Sequence, residues 1–101
     1  MTYQFGYQGT NRSTPQRSDI MLRAVNAGWS RERIVESGRS VIAGDRVLAK
    51  VAGENVHGHC RGGVDGSFWV EHIADGVWHL VHPKGILSYD AIDRALKRDG
   101  K

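Results

Sequence analysis

A chain of 101 residues has the length of one domain and room for one core. Its 40% hydrophobic and 25% charged content are ordinary for a soluble globular protein. One cysteine excludes an intramolecular disulfide, and no apolar run approaches the length of a membrane span. The net charge is +3, and it is unevenly placed. Residues 1–53 carry eight basic against four acidic side chains, while residues 54–101 carry six against seven. The positive front half suits an anionic partner such as nucleic acid. Met1 to Arg12 lacks the charged-then-apolar layout of a secretory signal, so a cytoplasmic location with Cys60 reduced is expected.

In chain order, Tyr3, Phe5 and Tyr7 alternate with Thr2, Gln4 and Gly6, as in a short strand or a tail that docks through its aromatics. Gly9 to Ser13 is polar, a loop or arm. Thr14-Pro15 reads as N-cap and first helical position, predicting a helix from about Pro15 to Ala27 that stops at Gly28. Ile20, Ala24 and Ala27 share its apolar face. Ser30 caps a second short helix, Arg31 to Ser37, with Ile34 and Val35 inward, ended by Gly38. Ser40 or Asp45 caps an expected third helix that ends before Gly53 and places Val47, Leu48 and Val51 in the core. Gly44 weakens that helix by roughly 1 kcal/mol relative to alanine, and Val41-Ile42 fits a strand as well.

From Glu54 the period becomes two. Asp65-Gly66 and Asp75-Gly76 are tight hairpin signals, because both positions tolerate positive φ. Centring turns on them pairs Val64 with Ser67, Gly62 with Trp69 and His59 with His72 across one turn, and His72 with His79 and Val70 with Val81 across the other. One face then collects Val56, Cys60, Trp69, Trp78 and Leu80 and is assigned to the core. The other collects His57, His59, Arg61, Phe68, Val70, His72, His79 and Val81. After this three-stranded antiparallel meander, Ser88 caps a final helix, Tyr89 to Arg98, with Ile92, Ala95 and Leu96 as its stripe and a charge order that suits the helix dipole. The expected fold is thus α+β in a single domain, 1–101. An arm (1–13) precedes an N-terminal helical hairpin of two or three helices (14–53), the meander (54–83) and a C-terminal helix (88–98).

All five histidines lie between His57 and His82. In the derived register His57, His59 and His72 converge as a facial set that leaves one position open, the arrangement of a catalytic zinc, with His79 beside them. A half-exposed sheet that merely tolerates histidine fits the same spacing, and no orienting partner is evident. Cys60 has no base on its own face, Ser67 has no strand-to-helix elbow, and Gly62-Gly63 with Gly66 lacks the lysine-bearing helix of a phosphate loop. No cofactor is indicated.

The helical front half carries the stronger functional pattern. Arg31 to Gly38, Arg39-Ser40 and the expected third helix have the layout of a helix-turn-helix. Arg39, Arg46 and Lys50 would then face DNA, with Arg31 and Arg33 near phosphates. A plain helical hairpin with solvated arginines accounts for the same residues.

The run from Asp19 to Ser30, Asp-Ile-Met-Leu-Arg-Ala-Val-Asn-Ala-Gly-Trp-Ser, resembles helical accessory segments in replication and DNA-processing proteins of actinobacteria and their phages. The resemblance implies a phage or mobile-element setting and a link to DNA, and it transfers no site residue. The expectation is therefore a small non-enzymatic binding protein whose partner is nucleic acid and not a membrane. The alternative is a phage-type module that binds and inhibits a host protein through Arg61, Phe68, Val70 and Val81, a composition that suits an interface. A histidine-rich metal-binding domain is the third reading. The oligomeric state stays open.

Overall fold

A computed structural model of the chain describes residues 16–100. The aromatic alternation at residues 3–7 and Thr14-Pro15 themselves lie outside the described residues, but the first helix starts at Arg17 with Gln16 at its N-cap and no side-chain cap bond, two residues later than expected. Helix α1 spans Arg17–Asn26 and buries Ile20 and Ala24. Gly28 sits at φ +82°, and the amide of Trp29 bonds back to the Ala24 carbonyl (3.1 Å), so the glycine reverses the chain and closes the helix. Helix α2, Arg31–Ser37, starts where Ser30 Oγ accepts from the Arg33 amide, as the sequence predicts. Helix α3, Tyr89–Gly100, starts on Ser88, whose Oγ accepts from the Ala91 amide at 3.0 Å. The main packing of α1 and of α2 is against α3, so the two do not form a hairpin of their own. Ile20, Ala24, Trp29 and Ile34 meet Ile92, Ala95 and Leu96 in one apolar cluster.

The expected third helix is corrected to a strand. Gly44, at φ +93°, breaks any helix through it, and β1 follows as Arg46–Val51. Its burial alternates, with Val47 and Ala49 inside and Lys50 in solvent, which is the strand period. Ala52 (φ +51°) and Gly53 (φ +83°) then make a tight turn into β2, Glu54–Val64. A strand and not a helix follows the Gly38 turn, so the expected helix-turn-helix of residues 31–52 does not form.

Strands β3 (Ser67–His72), β4 (Trp78–Val81) and β5 (Ile86–Ser88) complete one antiparallel sheet in the order β4-β3-β2-β1-β5, with a 3-10 turn at Pro83–Gly85 before the last strand. The expected meander forms one side of this larger sheet, with β4 at its edge, and β1 and β5 extend it beyond β2. The Asp65-Gly66 turn forms as derived, with both φ angles positive and Val64 opposite Ser67. Beyond Gly62 the register departs. The strand bulges between Cys60 and Gly62, with Gly62 at φ +130°, and every later pair slips by one. His59 therefore faces Glu71, and Gly58 faces His72. The Asp75-Gly76 connection is a longer loop, residues 73–77, so Val70 pairs with His79 and Phe68 with Val81. That second shift is of two residues and leaves the faces unchanged.

The bulge redistributes the faces. Val47, Ala49, Cys60, Val70, Val81 and Ile86 form a second buried cluster. No helix contributes to it. The sheet curls until β4 approaches β1, and its concave face becomes a core of its own. Val70 (0% exposed) and Val81 (3%) belong to this interior and Phe68 packs against it, so these three do not offer the surface expected of them. The convex face carries Leu48 and His57 beside the helices and, further along, Trp69, Trp78 and Leu80. The two indoles do share a face, with ring centroids 6.3 Å apart. Trp78 is 51% exposed, however, and lies past the helical layer rather than under it.

Candidate nucleic-acid interface

Ion pairs sort the basic side chains into those whose charge is spent and those whose charge is available. Arg46 lies along β1, and its guanidinium grips Asp90 through Nε (3.1 Å) and Nη2 (2.6 Å), while its amide donates to the same carboxylate at 2.8 Å. Burial alone would raise the Asp90 carboxyl, but the hydrogen bonds and charge of Arg46 outweigh it and hold it below the ordinary value of 3.8. Arg33 pairs with Asp99 and stacks over the Trp29 ring, its guanidinium carbon 4.3 Å from the centroid. Both arginines are thus structural, Arg46 tying the sheet to α3 and Arg33 tying α2 to the end of α3. Arg23, Arg61, Arg94, Lys97 and Arg98 also have carboxylate partners.

Among the described residues, Arg17, Arg31, Arg39, Lys50 and Lys84 make no ion pair. Three of them converge. Arg39 follows the C-terminal end of α2, Lys50 is near the end of β1, and Lys84 is in the 3-10 turn. Together with Asn55, Val35, Leu48 and Leu87 they line a cleft of about 200 Å³. No carboxylate lines it. The arrangement follows from the strand order. Placing β5 beside β1 brings the turn ahead of β5 against the Lys50 stem, where Gly85 fits with its Cα facing the Lys50 Cβ. Arg31 lies one groove away, along α2, with Glu32 and Glu36, which dilute its charge; Arg39 borders both grooves.

Of the five residues expected to meet nucleic acid, the structure therefore brings Arg39 and Lys50 together, leaves Arg31 beside acids, and commits Arg33 and Arg46 to ion pairs. Lys84 and Asn55 were missed. A lysine between Pro83 and Gly85 reads only as an exposed turn residue, and its place beside Lys50 depends on a strand pairing that periodicity does not reveal. A cleft of this size admits a phosphate or a comparably small anionic group, and is below the usual volume of an enclosing cofactor pocket. Three cations there attract such a group: none makes an ion pair among the described residues, and Lys50 and Lys84 stand clear of the acids of α2, which Arg39 adjoins.

A second groove, of about 370 Å³, adjoins across the paired residues Leu48 and His57. Gln16, Arg17, Ser18, Met21, His57 and Tyr89 line it. Tyr89 Oη lies 3.4 Å from His57 Nε2, and the Arg17 guanidinium carbon is 5.9 Å from the Tyr89 ring centre. Burial raises the Tyr89 phenol, and the Arg17 charge opposes this in part. Arg17 Nε is enclosed and has no hydrogen-bond partner among the described residues.

The bulge separates the histidines. His72 and His79 stand together on the concave side, ring centroids 6.3 Å apart, while His57 and His59 point the other way. The facial set expected for a metal does not form, and no group of three or more potential ligands exists among the described residues. Cys60 is buried, with its Sγ 3.7 Å from the Gly62 carbonyl oxygen. No helix among the described residues is long and apolar enough to cross a membrane. Comparison with known proteins finds no matching family model, no similar curated protein and no similar solved structure.

Proposed function

We propose that this protein binds nucleic acid through phosphate contacts made by Arg39, Lys50 and Lys84, and that it acts as a non-enzymatic accessory or regulatory factor. The supporting observation is the convergence of three unpaired cations in one cleft that no carboxylate lines. Arg31 and the positive balance of residues 1–53 add long-range attraction. The likeness of residues 19–30 to accessory segments of phage DNA-processing proteins points to the same setting. The cleft replaces the recognition helix as the contact surface, so binding is dominated by the backbone and only weakly selective for sequence.

Fluorescence anisotropy with labelled DNA tests this reading. Each neutralised phosphate contributes about 0.7 to 0.9 to the slope of log affinity against log salt. Changing Arg39, Lys50 and Lys84 together to alanine should lower that slope by about two to three. Changing Arg33 to alanine should leave it unaltered. A slope unmoved by the triple change would remove the proposal.

The host-protein reading keeps one supporting observation, on different residues from those expected. Ile73, Val77, Trp78 and Leu80 are 47–53% exposed on the β3–β4 hairpin, an apolar surface on one element. If a protein partner is the target, Trp78→Ser should abolish its capture in nuclease-treated lysate and leave DNA affinity alone.

A further inference from the structure

We infer that the strand taken by this protein is single rather than double, and that it runs from Lys84 and Lys50 across Asn55 to a second anion-binding point at Arg17, with a base resting on His57. The inference rests on the phosphate-binding reading above and extends it to the form of the ligand.

The geometry comes from the β1–β2 hairpin. Lys50 pairs with Asn55, and Leu48 pairs with His57. These four residues share the convex face, where diagonal neighbours on paired strands stand about 7–8 Å apart. Lys50 and His57 are such a diagonal. The two grooves therefore meet at adjoining positions on one pair of strands. Helix α3 begins at Tyr89, beside His57, and continues toward Arg46, where Asp90 binds. The hairpin end that bears Lys50 and Asn55 thus lies past the start of α3 and beside the C-terminal end of α2, whose Val35 shares its cleft. Cations stand along its base on both sides, Arg39, Lys50 and Lys84 toward α2 and Arg17 toward the start of α1.

Three features favour a single strand. The cations line two shallow, adjoining clefts, a path that a flexible single backbone can bend to follow and a stiff duplex follows only at the cost of deformation. Among the described residues no helix stands over this cleft ready to enter a groove: α2, which borders it, spans only Arg31–Ser37, and α3 is packed against α1, α2 and β1. The imidazole of His57, an exposed residue, stands between the two cation sets, where an unstacked base can lie on it. Arg17 supplies a charge that no carboxylate among the described residues offsets, held by the face of Tyr89. Its enclosed Nε has no partner among the described residues, which leaves a donor for a bound phosphate once the side chain reorients.

The test uses a labelled ten-nucleotide oligothymidylate and a ten-base-pair duplex, titrated at several salt concentrations. The full chain should prefer the single strand by at least tenfold. Arg17→Gln should lower the single-strand salt slope by about 0.7, one phosphate's worth. His57→Ala should weaken binding roughly five- to hundred-fold with the slope unchanged, the signature of lost stacking. His57→Phe should restore most of that loss, which a merely structural role for the imidazole would not do. Circular dichroism of each variant checks that the fold is intact. Equal or tighter duplex binding overturns the inference. So does an unchanged slope in Arg17→Gln while the Arg39, Lys50 and Lys84 triple variant still loses two to three. Loss of neither slope would instead overturn the phosphate-binding reading itself.

Discussion

Replacing Asp45 should cost more stability than replacing any other charged residue in the described part of the chain. Its carboxylate is 4% exposed and accepts four hydrogen bonds, from Ser88 Oγ (2.8 Å), the Ile42 amide (3.1 Å) and both Arg94 terminal nitrogens (2.9 Å each). Its own backbone carbonyl receives the Cys60 amide. One side chain thus joins the loop ahead of β1, the end of β5 and the middle of α3. Asp45→Ala leaves the buried Ser88 hydroxyl without its acceptor, at about 1–3 kcal/mol, and the part-buried Ile42 amide without its own, at about 1 kcal/mol. Arg94 is 43% exposed and regains water, so the lost ion pair adds only about 1 kcal/mol. The sum is about 3–5 kcal/mol, or a fall in Tm of roughly 15 °C or more for a domain of this size. Asp45→Asn keeps an acceptor for the two donors and should cost about 1–2 kcal/mol. Urea unfolding at pH 7, followed by tryptophan fluorescence and circular dichroism, gives both values, provided the m-value is unchanged. An alanine variant no less stable than the asparagine variant, or within about 1 kcal/mol of the wild-type chain, would refute the reasoning.

Acid should destabilise the protein in a defined window. Asp45, Asp90 and Asp93 are each pushed upward by burial but held below the ordinary 3.8 by the stronger sum of their arginine, lysine and hydrogen-bond partners. Their contribution is complete above about pH 5 and is lost as pH falls below about 4 through the depressed folded values, so urea midpoints should be flat from pH 7 to 5 and fall below that. Asp45→Asn should make the acid fall shallower, and an unchanged fall would contradict the assignment. Ala52 holds φ +51°, a left-handed conformation that costs an L-residue about 1–2 kcal/mol, so Ala52→Asn should raise stability by about 0.5–1 kcal/mol in the same assay. Gly58→Ala should do the opposite. A Cβ there would stand 2.4 Å from the Glu71 carbonyl oxygen and 2.7 Å from Val70 Cγ1, and because the first of these is backbone, a loss of about 3 kcal/mol is expected. Arg61→Ala, by contrast, removes an exposed pair with Glu71 and should change stability by less than about 1 kcal/mol.

Local chemistry determined much of this molecule from its sequence. Ser30 and Ser88 accept the amides they were placed to accept, and Gly28 stops its helix because only a left-handed residue closes that turn. Asp65-Gly66 adopts the two positive φ angles that its hairpin requires. Trp69 and Trp78 fall on one face because a shift of two residues in the β3–β4 register preserves parity. Tertiary structure decided the rest. The bulge at Arg61 depends on Gly62 reaching φ +130°, which a glycine pair permits without announcing, and that one inserted residue sends His59 and His72 to opposite faces. Residues 46–51 resemble a helix or a strand equally in composition, and pairing with both β2 and β5 selected the strand. Ala52-Gly53 turns as tightly as Asp65-Gly66, although alanine gives no turn signal. Above all, a sheet that curls encloses its own concave side. Alternation along a strand reveals two faces, but which one is dry depends on a curvature spread over five strands, and so does the meeting of Lys84 with Lys50.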